Sequence, residues 1–240
     1  MKKIAVVIAA YNEVGNIARL TERLISTLDT IPEAAWRLIY VIDGTDGTVD
    51  VANTFAARRP EIEILYQPVP TGLGAAFRRG FAAMPMDTDY VVTMDADLNH
   101  QPEEVPRLLR RLLQEQADIV VGSRRLQDSS VQGTPFWKHT LSYVGNRLMH
   151  LTTGVRINDL TSGFRLYRAQ ALRQIDFENV GFAFLPEILL QAAGQNMNIV
   201  EEPIRFVSRV SGKSKMRISA TVRSYCRLFF TRLWSLSRLR

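Results

Sequence analysis

The chain has 240 residues and a formal net charge of +6, with 46% hydrophobic and 22% charged residues. These are ordinary values for a globular protein, so they exclude a disordered or fibrous chain and allow one large α/β domain or two small ones. The single cysteine excludes an internal disulfide and suits a reducing cytoplasm.

Positive charge is concentrated towards the C-terminus. Residues 205–240 contain ten of the 30 Lys and Arg and none of the 24 Asp and Glu, so they carry +10 and the rest of the chain −4. A mildly acidic body with a basic tail predicts an anionic partner for the tail, such as membrane lipid, a phosphorylated lipid or nucleic acid.

Strand and helix patterns alternate through the first half of the chain. Apolar, β-prone segments predict strands, and segments with a 3.6-residue apolar period predict helices between them. The predicted strands are residues 4–10, 38–42, 62–66, 90–94 and 118–121, and the predicted helices are 12–28, 48–58, 75–84 and 102–114. This alternation predicts an α/β fold with a mostly parallel central sheet and helices on both faces.

The second half of the chain has a less regular pattern. Residues 124–133 are polar and predict a loop near the carboxyl edge of the sheet. The other predictions are helices at 137–151 and 183–193, a loop at 160–167 leading into a strand, a short strand at 199–202 and a loop at 208–215. No linker interrupts the chain, so residues 1–216 are predicted to form one domain and residues 217–240 a C-terminal helix.

Two acids follow the strand predicted at residues 90–94. Asp95 and Asp97 are two residues apart, so at a strand end their side chains point the same way. Neighbouring carboxylates repel each other unless a positive charge lies between them, and Mg²⁺ or Mn²⁺ prefers such oxygen ligands. Open α/β sheets bind ligands at the carboxyl ends of their strands, which favours a metal site over a solvated turn with two chance acids.

Polar residues also follow the first two predicted strands. The ring of Tyr11 is predicted to stack on a base, and Glu13 to accept hydrogen bonds from the polar edge of that base. The alternative is that Asn12-Glu13 only marks the start of a helix. Asp43 is predicted to accept hydrogen bonds from a base or a ribose. Asp46 and Thr48 are predicted to cap the helix that follows.

Gly72 and Gly74 precede the third predicted helix. Without side chains, they let the backbone approach a ligand or a neighbouring strand closely. The segment is not a Walker loop, because the Lys-Ser/Thr pair is missing, and it lacks the glycine order of a dinucleotide-binding site.

These motifs occur in a specific order along the chain. They are Tyr11-Asn12-Glu13, Asp43-Gly44-Thr45-Asp46-Gly47-Thr48, Gly72-Leu73-Gly74, Asp95-Ala96-Asp97-Leu98, Gly122-Ser123-Arg124, the segment from Asp159 to Arg168, and Glu202-Pro203-Ile204-Arg205-Phe206 with Arg209, Gly212, Ser214 and Lys215. With them, residues 1–216 resemble family 2 glycosyltransferases of the GT-A fold, and look most like the polyprenol-phosphate (dolichol-phosphate) mannosyl- and glucosyltransferases. The segment Thr161-Ser162-Gly163-Phe164-Arg165 favours that branch.

The resemblance implies an inverting, metal-dependent transfer of mannose or glucose from GDP-mannose or UDP-glucose to a polyprenyl (dolichyl or undecaprenyl) phosphate. It implies that the catalytic residues are Asp95, Asp97, Arg209 and Lys215, and that the ligands of Mg²⁺ or Mn²⁺ are Asp95, Asp97 and Asn99. The residues implied to bind the nucleotide sugar are Ala9, Tyr11, Glu13, Asp43, Gly72, Gly74, Asp95, Ala96, Asp97, Arg209 and Lys215. Those implied to bind the acceptor are Arg124, Lys138, Ser162 and Arg165.

The chemistry of such a transfer suits these residue types. The leaving nucleoside diphosphate gains negative charge as the glycosidic bond breaks, and a metal with Lys and Arg stabilises that charge. The attacking phosphate oxygen is already anionic, so it needs no strong general base. Cationic side chains must hold the acceptor instead, and Arg168 is a further candidate for this role. Glu187 lies in an apolar helix, where an acid needs a partner: either the sugar or an arginine.

Four positions depart from the family pattern. Ile42 stands where a second acid usually precedes Asp43, and Pro70 stands where a basic residue is usual. Asn99 stands where Gln is common, and Lys138 where Arg is common. None of these removes a main catalytic element.

The tail combines an apolar stripe with arginines. Apolar side chains recur every three or four residues, and the arginines between them exclude the long uncharged run that a membrane-spanning helix needs. A basic amphipathic helix with Trp and Phe predicts peripheral binding to the cytoplasmic face of the membrane. The alternative is a helix that packs on the body or on a second subunit.

Two other functions fit parts of the sequence. A family 2 transferase that acts on a hydroxyl of a glycan or glycolipid needs a base, for which the acids after residue 165 are Asp176, Glu178, Glu187, Glu201 and Glu202. A non-catalytic module that binds nucleotide or nucleic acid through the tail leaves the Asp-x-Asp segment unexplained, because acids repel phosphate without a metal. No nucleic-acid partner is therefore predicted.

Overall fold

The computed structural model of the protein describes residues 1–132, 157–207 and 223–225. The helix predicted at residues 137–151 and the loop predicted at residues 208–215 lie outside these ranges, as does nearly all of the tail. Within the described ranges, no helix has both the length and the apolar character that crossing a lipid bilayer requires.

The elements of the described ranges confirm the predicted α/β alternation. The strands are β1 (Lys2–Tyr11), β2 (Ala34–Asp43), β3 (Ile62–Gln67), β4 (Tyr90–Asp95), β5 (Ile119–Ser123), β6 (Ser130–Gln132), β7 (Arg165–Arg168), β8 (Ile199–Pro203) and β9 (Arg205–Val207). The helices are α1 (Val14–Leu28), α2 (Thr48–Ala56), α3 (Leu73–Ala82), α4 (Val105–Gln114, after a 3₁₀ turn at Pro102–Glu104), α5 (Ala169–Leu172) and α6 (Phe184–Gly194). Every strand and helix predicted for the first half is present.

Two short strands were not predicted from the sequence. β6 lies inside the loop predicted at residues 124–133, and β9 follows β8 after a single residue. Each has three residues and they pair with each other outside the main sheet. A strand this short has no readable period-two pattern, so only its tertiary pairing reveals it.

The main sheet has seven strands in the order β3-β2-β1-β4-β7-β5-β8. Only β7 runs antiparallel to its neighbours, with Arg165 opposite both Thr93 of β4 and Val121 of β5. Because β7 is reversed, it begins where β4 and β5 end. The segment that precedes β7 is therefore placed at the carboxyl edge of the sheet, beside the end of β4.

The sheet is buried on both faces. Along β1, Val6 and Ile8 point into one apolar cluster, which includes residues of α1 and α4, while Ala5 and Val7 point into the other, which includes residues of α3 and α6. This two-sided burial explains why β1, β2 and β4 are almost continuously apolar.

Helix α3 packs unusually close to the sheet at Gly80. A Cβ atom built on Gly80 would lie 2.3 Å from Cγ1 of Val7 and 3.0 Å from Cγ2 of Val41. The glycine therefore sets the distance between α3 and the first two strands.

Replacing Gly80 with Ala should lower the free energy of unfolding by about 1–3 kcal/mol, because the added methyl group overpacks this contact. Gly181→Ala is the matched control, since a Cβ there meets nothing within 4 Å, and its effect should stay within about 0.5 kcal/mol. Urea denaturation followed by circular dichroism measures both variants. Equal stability of the two would contradict a close contact at Gly80.

Candidate functional site

Predicted site residues gather at the carboxyl edge, where three neighbouring parallel strands end. Tyr11 at the end of β1 lies opposite Asp43 at the end of β2, and Ala9 lies opposite Asp95, the last residue of β4. Asp97 follows in the turn after β4. The structure therefore brings these five residues to one edge of the sheet.

Asp97 is held in its turn by Asn99. The backbone N–H of Asn99 donates to Oδ1 of Asp97 at 3.1 Å, and Nδ2 of Asn99 donates to Oδ2 at 2.9 Å. Leu98, between them, adopts a positive φ of 61°. Both polar residues are buried, and Oδ1 of Asn99 has no hydrogen-bond partner within the described ranges. A buried, unpaired oxygen needs an explanation, and a bound cation provides one.

Asp95 lies against the segment that precedes β7. A Cβ atom on Gly163 would be 2.9 Å from Oδ1 of Asp95, so a larger residue would push against the carboxylate. The hydroxyl group of Thr93 donates to the carbonyl of Gly163 at 2.9 Å and holds the segment on β4. The Thr-Ser-Gly-Phe-Arg segment is thus a direct neighbour of the Asp-x-Asp segment.

His100 lies behind Asp95, and the sequence analysis does not single it out. Its imidazole is buried, its Nδ1 is 3.4 Å from the backbone nitrogen of Asp95, and its ring stacks on Phe164 with centroids 5.3 Å apart. Burial lowers the pKa of His100 to about 4, against the opposing charge of Asp97. The imidazole is therefore neutral at pH 7, and its Nδ1 accepts the N–H of Asp95.

Asp95, Asp97 and Asn99 are the oxygen donors that this edge offers to a metal ion. In the part of the chain that the structure describes, no three His, Cys, Asp or Glu side chains are grouped to share a metal. A cation here would depend on two carboxylates and an amide oxygen, with its other ligands drawn from substrate or water.

Asp43 is buried, and both of its oxygens accept hydrogen bonds from the protein. Arg79 of α3 donates to Oδ1 at 2.5 Å, and the backbone N–H of Thr71 donates to Oδ2 at 3.2 Å. Arg79 compensates a charge that would be costly to bury alone. Asp43 therefore ties the end of β2 to the loop before α3, and its contact with a base or ribose stays a prediction.

The predicted cap of α2 is confirmed for Asp46. Its Oδ1 accepts the N–H of Thr48 at 3.0 Å, and its Oδ2 accepts the N–H of Val14 at 3.1 Å. Thr48 was predicted to cap α2 as well, but it caps α1, because its Oγ1 accepts the N–H of Glu13 at 2.8 Å. Asp46 and Thr48 therefore join the start of α2 to the start of α1, next to the two loops that carry predicted nucleotide-binding residues.

Gly72 and Gly74 make their close approach to protein backbone. A Cβ atom on Gly72, whose φ is +98°, would be 2.5 Å from the carbonyl oxygen of Val180, and one on Gly74 would be 2.1 Å from that of Asn179. The N–H of Gly74 donates to the carbonyl of Val180 at 2.8 Å. Their contact with a nucleotide sugar stays a prediction.

Glu187 of α6 holds the same loop from the other side. Its carboxylate accepts the N–H groups of Glu178 and Asn179, both at 3.0 Å, and Nδ2 of Asn179 at 2.8 Å. Loop backbone is thus a third kind of partner for Glu187, besides the sugar and the arginine that the sequence suggests.

The predicted acceptor side of the site contains a bidentate ion pair. Nε and Nη2 of Arg124 donate to Oδ2 and Oδ1 of Asp159, both at 2.7 Å, and the backbone N–H of Arg124 donates at 3.0 Å. Burial would raise the pKa of Asp159, but the charge and hydrogen bonds of Arg124 outweigh it and hold that pKa well below its usual range. The pair fixes Arg124 in one orientation just after β5.

Asp159 and its support are functional candidates that the sequence analysis missed. Glu201 accepts the backbone N–H groups of Asn158 at 2.9 Å and of Asp159 at 3.0 Å, which holds this segment in place. The sequence contained one indication of this role: Asp159 stands next to Leu160, and an acid within an apolar segment needs a partner if it is buried.

Two residues predicted to bind the acceptor are enclosed by the protein, so these predictions are corrected. Arg165 is fully buried, and its guanidinium donates to the carbonyls of Ser162, Leu185 and Leu160 at 2.7–2.8 Å. Ser162 is fully buried as well. Both residues shape the loop before β7 and have no surface left for a ligand.

Of the other cationic candidates, the structure describes only Arg168, which lies apart from this site. Arg168 is opposite Tyr90, at the start of β4, so it is at the far edge of the sheet and the role suggested for it is wrong. Lys138, Arg209 and Lys215 lie outside the described residues, and their roles stay predictions.

A mostly parallel sheet with one reversed strand, and with an Asp-x-Asp turn at its carboxyl edge, defines the class of GT-A glycosyltransferases. Residues 5–176 match the family model described as glycosyl transferase family 2. The chain belongs to this family.

Individual relatives agree with this assignment. The undecaprenyl-phosphate mannosyltransferase of Micrococcus luteus is 36% identical over 220 residues, covering 89% of this chain and 87% of that protein. The polyprenol monophosphomannose synthase of Mycolicibacterium smegmatis is 32% identical over 221 residues, covering 90% and 81%. The glucosyl-3-phosphoglycerate synthase of Mycobacterium tuberculosis, solved with Mn²⁺, uridine diphosphate and phosphoglyceric acid, has a TM-score of 0.68 at 20% identity over 93% of this chain and 75% of its own. That last likeness shows the fold alone.

Asp159→Asn should lower the free energy of unfolding at pH 7 by about 3 kcal/mol, because it leaves Arg124 without its counter-charge. A lowered pKa means that ionised Asp159 stabilises the fold above about pH 4, its unfolded value, and that this stability is lost as the pH falls further. The difference between wild type and variant should therefore shrink below about pH 4.

Denaturant titrations at several pH values check this prediction. Glu63→Gln is the control, because it breaks a partly exposed pair with Arg37 at 3.2 Å and should cost less than about 1 kcal/mol. A stability difference that stays constant down to about pH 3 would contradict the lowered pKa of Asp159.

Proposed function

We propose that this protein transfers a mannosyl group from a nucleotide sugar to a polyprenyl phosphate, with inversion at the anomeric carbon and with a bound divalent cation. The observation that carries the proposal is one sheet edge that holds both the acid pair, Asp95 and Asp97, and the fixed cation of Arg124. The names of the two sequence relatives support mannose as the sugar and a polyprenyl phosphate as the acceptor.

The Asp-x-Asp turn suits a hard divalent cation. Asp95, Asp97 and the buried Oδ1 of Asn99 supply oxygen ligands only, which match Mg²⁺ or Mn²⁺. A cation held by them would neutralise charge on the donor diphosphate and on the departing nucleoside diphosphate. A protein of the same fold was crystallised with Mn²⁺ and uridine diphosphate, so Mn²⁺ is the first cation to test.

The nucleotide is proposed to lie over the ends of β1 and β2. Tyr11 exposes 41% of its surface, so its ring is accessible for stacking on a base. Asp43 and Glu13 lie at or just after the ends of the two adjacent strands, whose following helices are joined by Asp46 and Thr48. These side chains would orient the base and ribose, and so place the sugar next to the acid pair.

The reaction exchanges one bond for another at the anomeric carbon. The bond from this carbon to the diphosphate oxygen breaks, and its electron pair leaves with the nucleoside diphosphate. A bond forms from the same carbon to an oxygen of the acceptor phosphate, which is anionic at pH 7, so no protein base has to remove a proton. The protein must therefore hold two anions close together, and in this proposal Arg124 meets the acceptor phosphate while Arg209 and Lys215 meet the diphosphate.

The acids of the second half favour a phosphate acceptor over a hydroxyl acceptor. A hydroxyl nucleophile would need a carboxylate base. Glu187 and Glu201 bind loop backbone, and Glu202 forms an ion pair with Arg107 at 3.1 Å. The carboxylate of Asp159 forms an ion pair with Arg124. These four acids already serve the structure, which argues against any of them as the base.

Incubation with labelled GDP-mannose or UDP-glucose, undecaprenyl phosphate and Mn²⁺ tests the proposal, with labelled lipid as the product. The expected result is lipid product from GDP-mannose that requires both the cation and the acceptor. If only UDP-glucose gives lipid product, the transferred sugar is glucose and not mannose. Absence of lipid product with both donors would contradict transfer to a polyprenyl phosphate.

Asp97→Asn should lower kcat/KM for this transfer by about 10²–10³, because it removes a charged ligand from the site that stabilises the leaving group. Its melting temperature should stay close to that of the wild type, since Asn keeps the shape of the turn. Asp87→Asn, at an exposed ion pair with Lys3, is the control and should retain full activity. Near-normal, cation-dependent transfer by Asp97→Asn would rule out this turn as the metal site.

The tail is proposed to bind the cytoplasmic face of the membrane, where a polyprenyl phosphate resides. In its described part, burial raises the pKa of Tyr225 to about 12, against the opposing charges of Arg124 and Arg165. Residues 226–240 carry four arginines and no acid, and each Arg near an anionic surface contributes about 1 kcal/mol.

Deleting residues 226–240 should release the protein from vesicles that contain phosphatidylglycerol, because both the arginines and the apolar stripe are lost. A triple variant, Arg227→Gln, Arg232→Gln and Arg238→Gln, keeps the stripe and should bind with less sensitivity to salt. Vesicle flotation at low and high salt measures both. Flotation of the deletion variant equal to that of the full chain would exclude the tail as the anchor, and early melting would show instead that the tail packs on the body.

A further inference from the structure

Phe206 of β9 lies between the two charged halves of the site, and no proposed role uses it. Its ring is 5.2 Å from the guanidinium carbon of Arg124. Its ring centroid is also 5.4 Å from that of His100, at an interplanar angle of 66°. One aromatic ring thus contacts both Arg124, the proposed acceptor-binding cation, and His100, the residue behind Asp95.

His100 continues this contact to the acid pair. Its Nδ1 accepts the N–H of Asp95, and Phe164 stacks on its ring with ring planes 28° apart. The backbone is joined at the same place, because His100 forms a β-bridge with Phe206 and the N–H of Val207 donates to the carbonyl of Asn99 at 3.0 Å. An unbroken series of contacts therefore runs from Asp95 through His100 and Phe206 to Arg124.

We infer that His100 and Phe206 are positioning residues that keep Arg124 at a fixed distance from the acid pair, so that a cation, the donor diphosphate and the acceptor phosphate fit between them. The inference rests on the proposed function. Although Asp159 holds the Arg124 guanidinium from one side, the carboxylates of the acid pair attract it as well. Without a spacer this second attraction would draw the groups together and close the gap. Two rigid rings packed edge to face, with centroids 5.4 Å apart, resist that approach.

The two residues have separable tasks. His100 holds the backbone of Asp95 through its Nδ1 acceptor, and the partners that orient a metal ligand commonly change metal affinity when they are lost. Phe206 separates Arg124 from Asp95 through its ring. Loss of the Nδ1 hydrogen-bond acceptor should therefore weaken binding of the cation directly. Loss of the Phe206 ring should weaken binding of the cation indirectly, because Arg124 would then compete with it for the carboxylate of Asp95.

Matched variants of the full chain distinguish these tasks. His100→Phe keeps a ring and removes the acceptor, whereas His100→Asn keeps an acceptor near the position of Nδ1. Phe206→Leu removes the ring and Phe206→Tyr keeps it. Phe77→Leu is the control, because Phe77 is a buried phenylalanine stacked on Phe184 in the opposite cluster.

The measurement is a titration of each variant with Mn²⁺ in the presence of GDP, in which electron paramagnetic resonance detects the free Mn²⁺. The melting temperature of each variant is recorded as well. His100→Phe should raise the dissociation constant of Mn²⁺ about tenfold, while His100→Asn should stay within about threefold of the wild type. Phe206→Leu should also lower the affinity for Mn²⁺, whereas Phe206→Tyr should leave it unchanged. Phe77→Leu should lower the melting temperature without changing the affinity for Mn²⁺.

A double variant gives the most specific test. If Arg124 competes for the carboxylate once the ring is gone, adding Arg124→Gln to Phe206→Leu should restore Mn²⁺ affinity to near the wild-type value. The inference is overturned if Phe206→Leu and His100→Phe bind Mn²⁺ like Phe77→Leu, or if Arg124→Gln restores nothing. If the wild type forms lipid product but the variants do not show these Mn²⁺ affinities, only the inference is overturned. If the variants show these Mn²⁺ affinities but no lipid product forms, only the proposed function is overturned.

Discussion

The buried guanidinium of Arg165 is the interaction on which the rest of the site depends. It donates to three backbone carbonyls, two of them in the loop before β7, and so holds that loop in one shape. Because β7 runs antiparallel to its neighbours, the loop lies at the carboxyl edge. From there it supplies the partner of Arg124, the close neighbour of Asp95 and the ring that stacks on His100, which are Asp159, Gly163 and Phe164.

Burying a cation is costly unless its donors are all taken up, and the same condition governs the other charges nearby. The buried carboxylate of Asp159 is paired with Arg124, and that of Asp43 is paired with Arg79. These pairs are formed within the protein, so a ligand meets side chains that are already oriented. Such preorganisation is what stabilises charge that develops during a reaction, because little has to move when it appears.

The fold and the family define what kind of chemistry this edge supports, but a fold alone does not select an acceptor. The proposed choice of a phosphate over a hydroxyl depends on which acids the structure has already used. Glu187, Glu201 and Glu202 each stabilise a loop or an arginine. The arrangement suits a nucleophile that is anionic already, and whose main need is a fixed cation such as Arg124.

The sequence by itself determined the alternation of strands and helices in the first half, because apolar periodicity is a local property of the chain. It also determined that Tyr11, Asp43 and Asp95 share one edge, because parallel strands end on the same side of a sheet. Only the tertiary structure decided which charged groups the protein uses internally. Arg165 and Asp159 lie in the same motif, yet their partners are up to 20 and 35 positions away in the chain. The role of a charged side chain depends on burial and on these distant partners, and no local pattern contains that information.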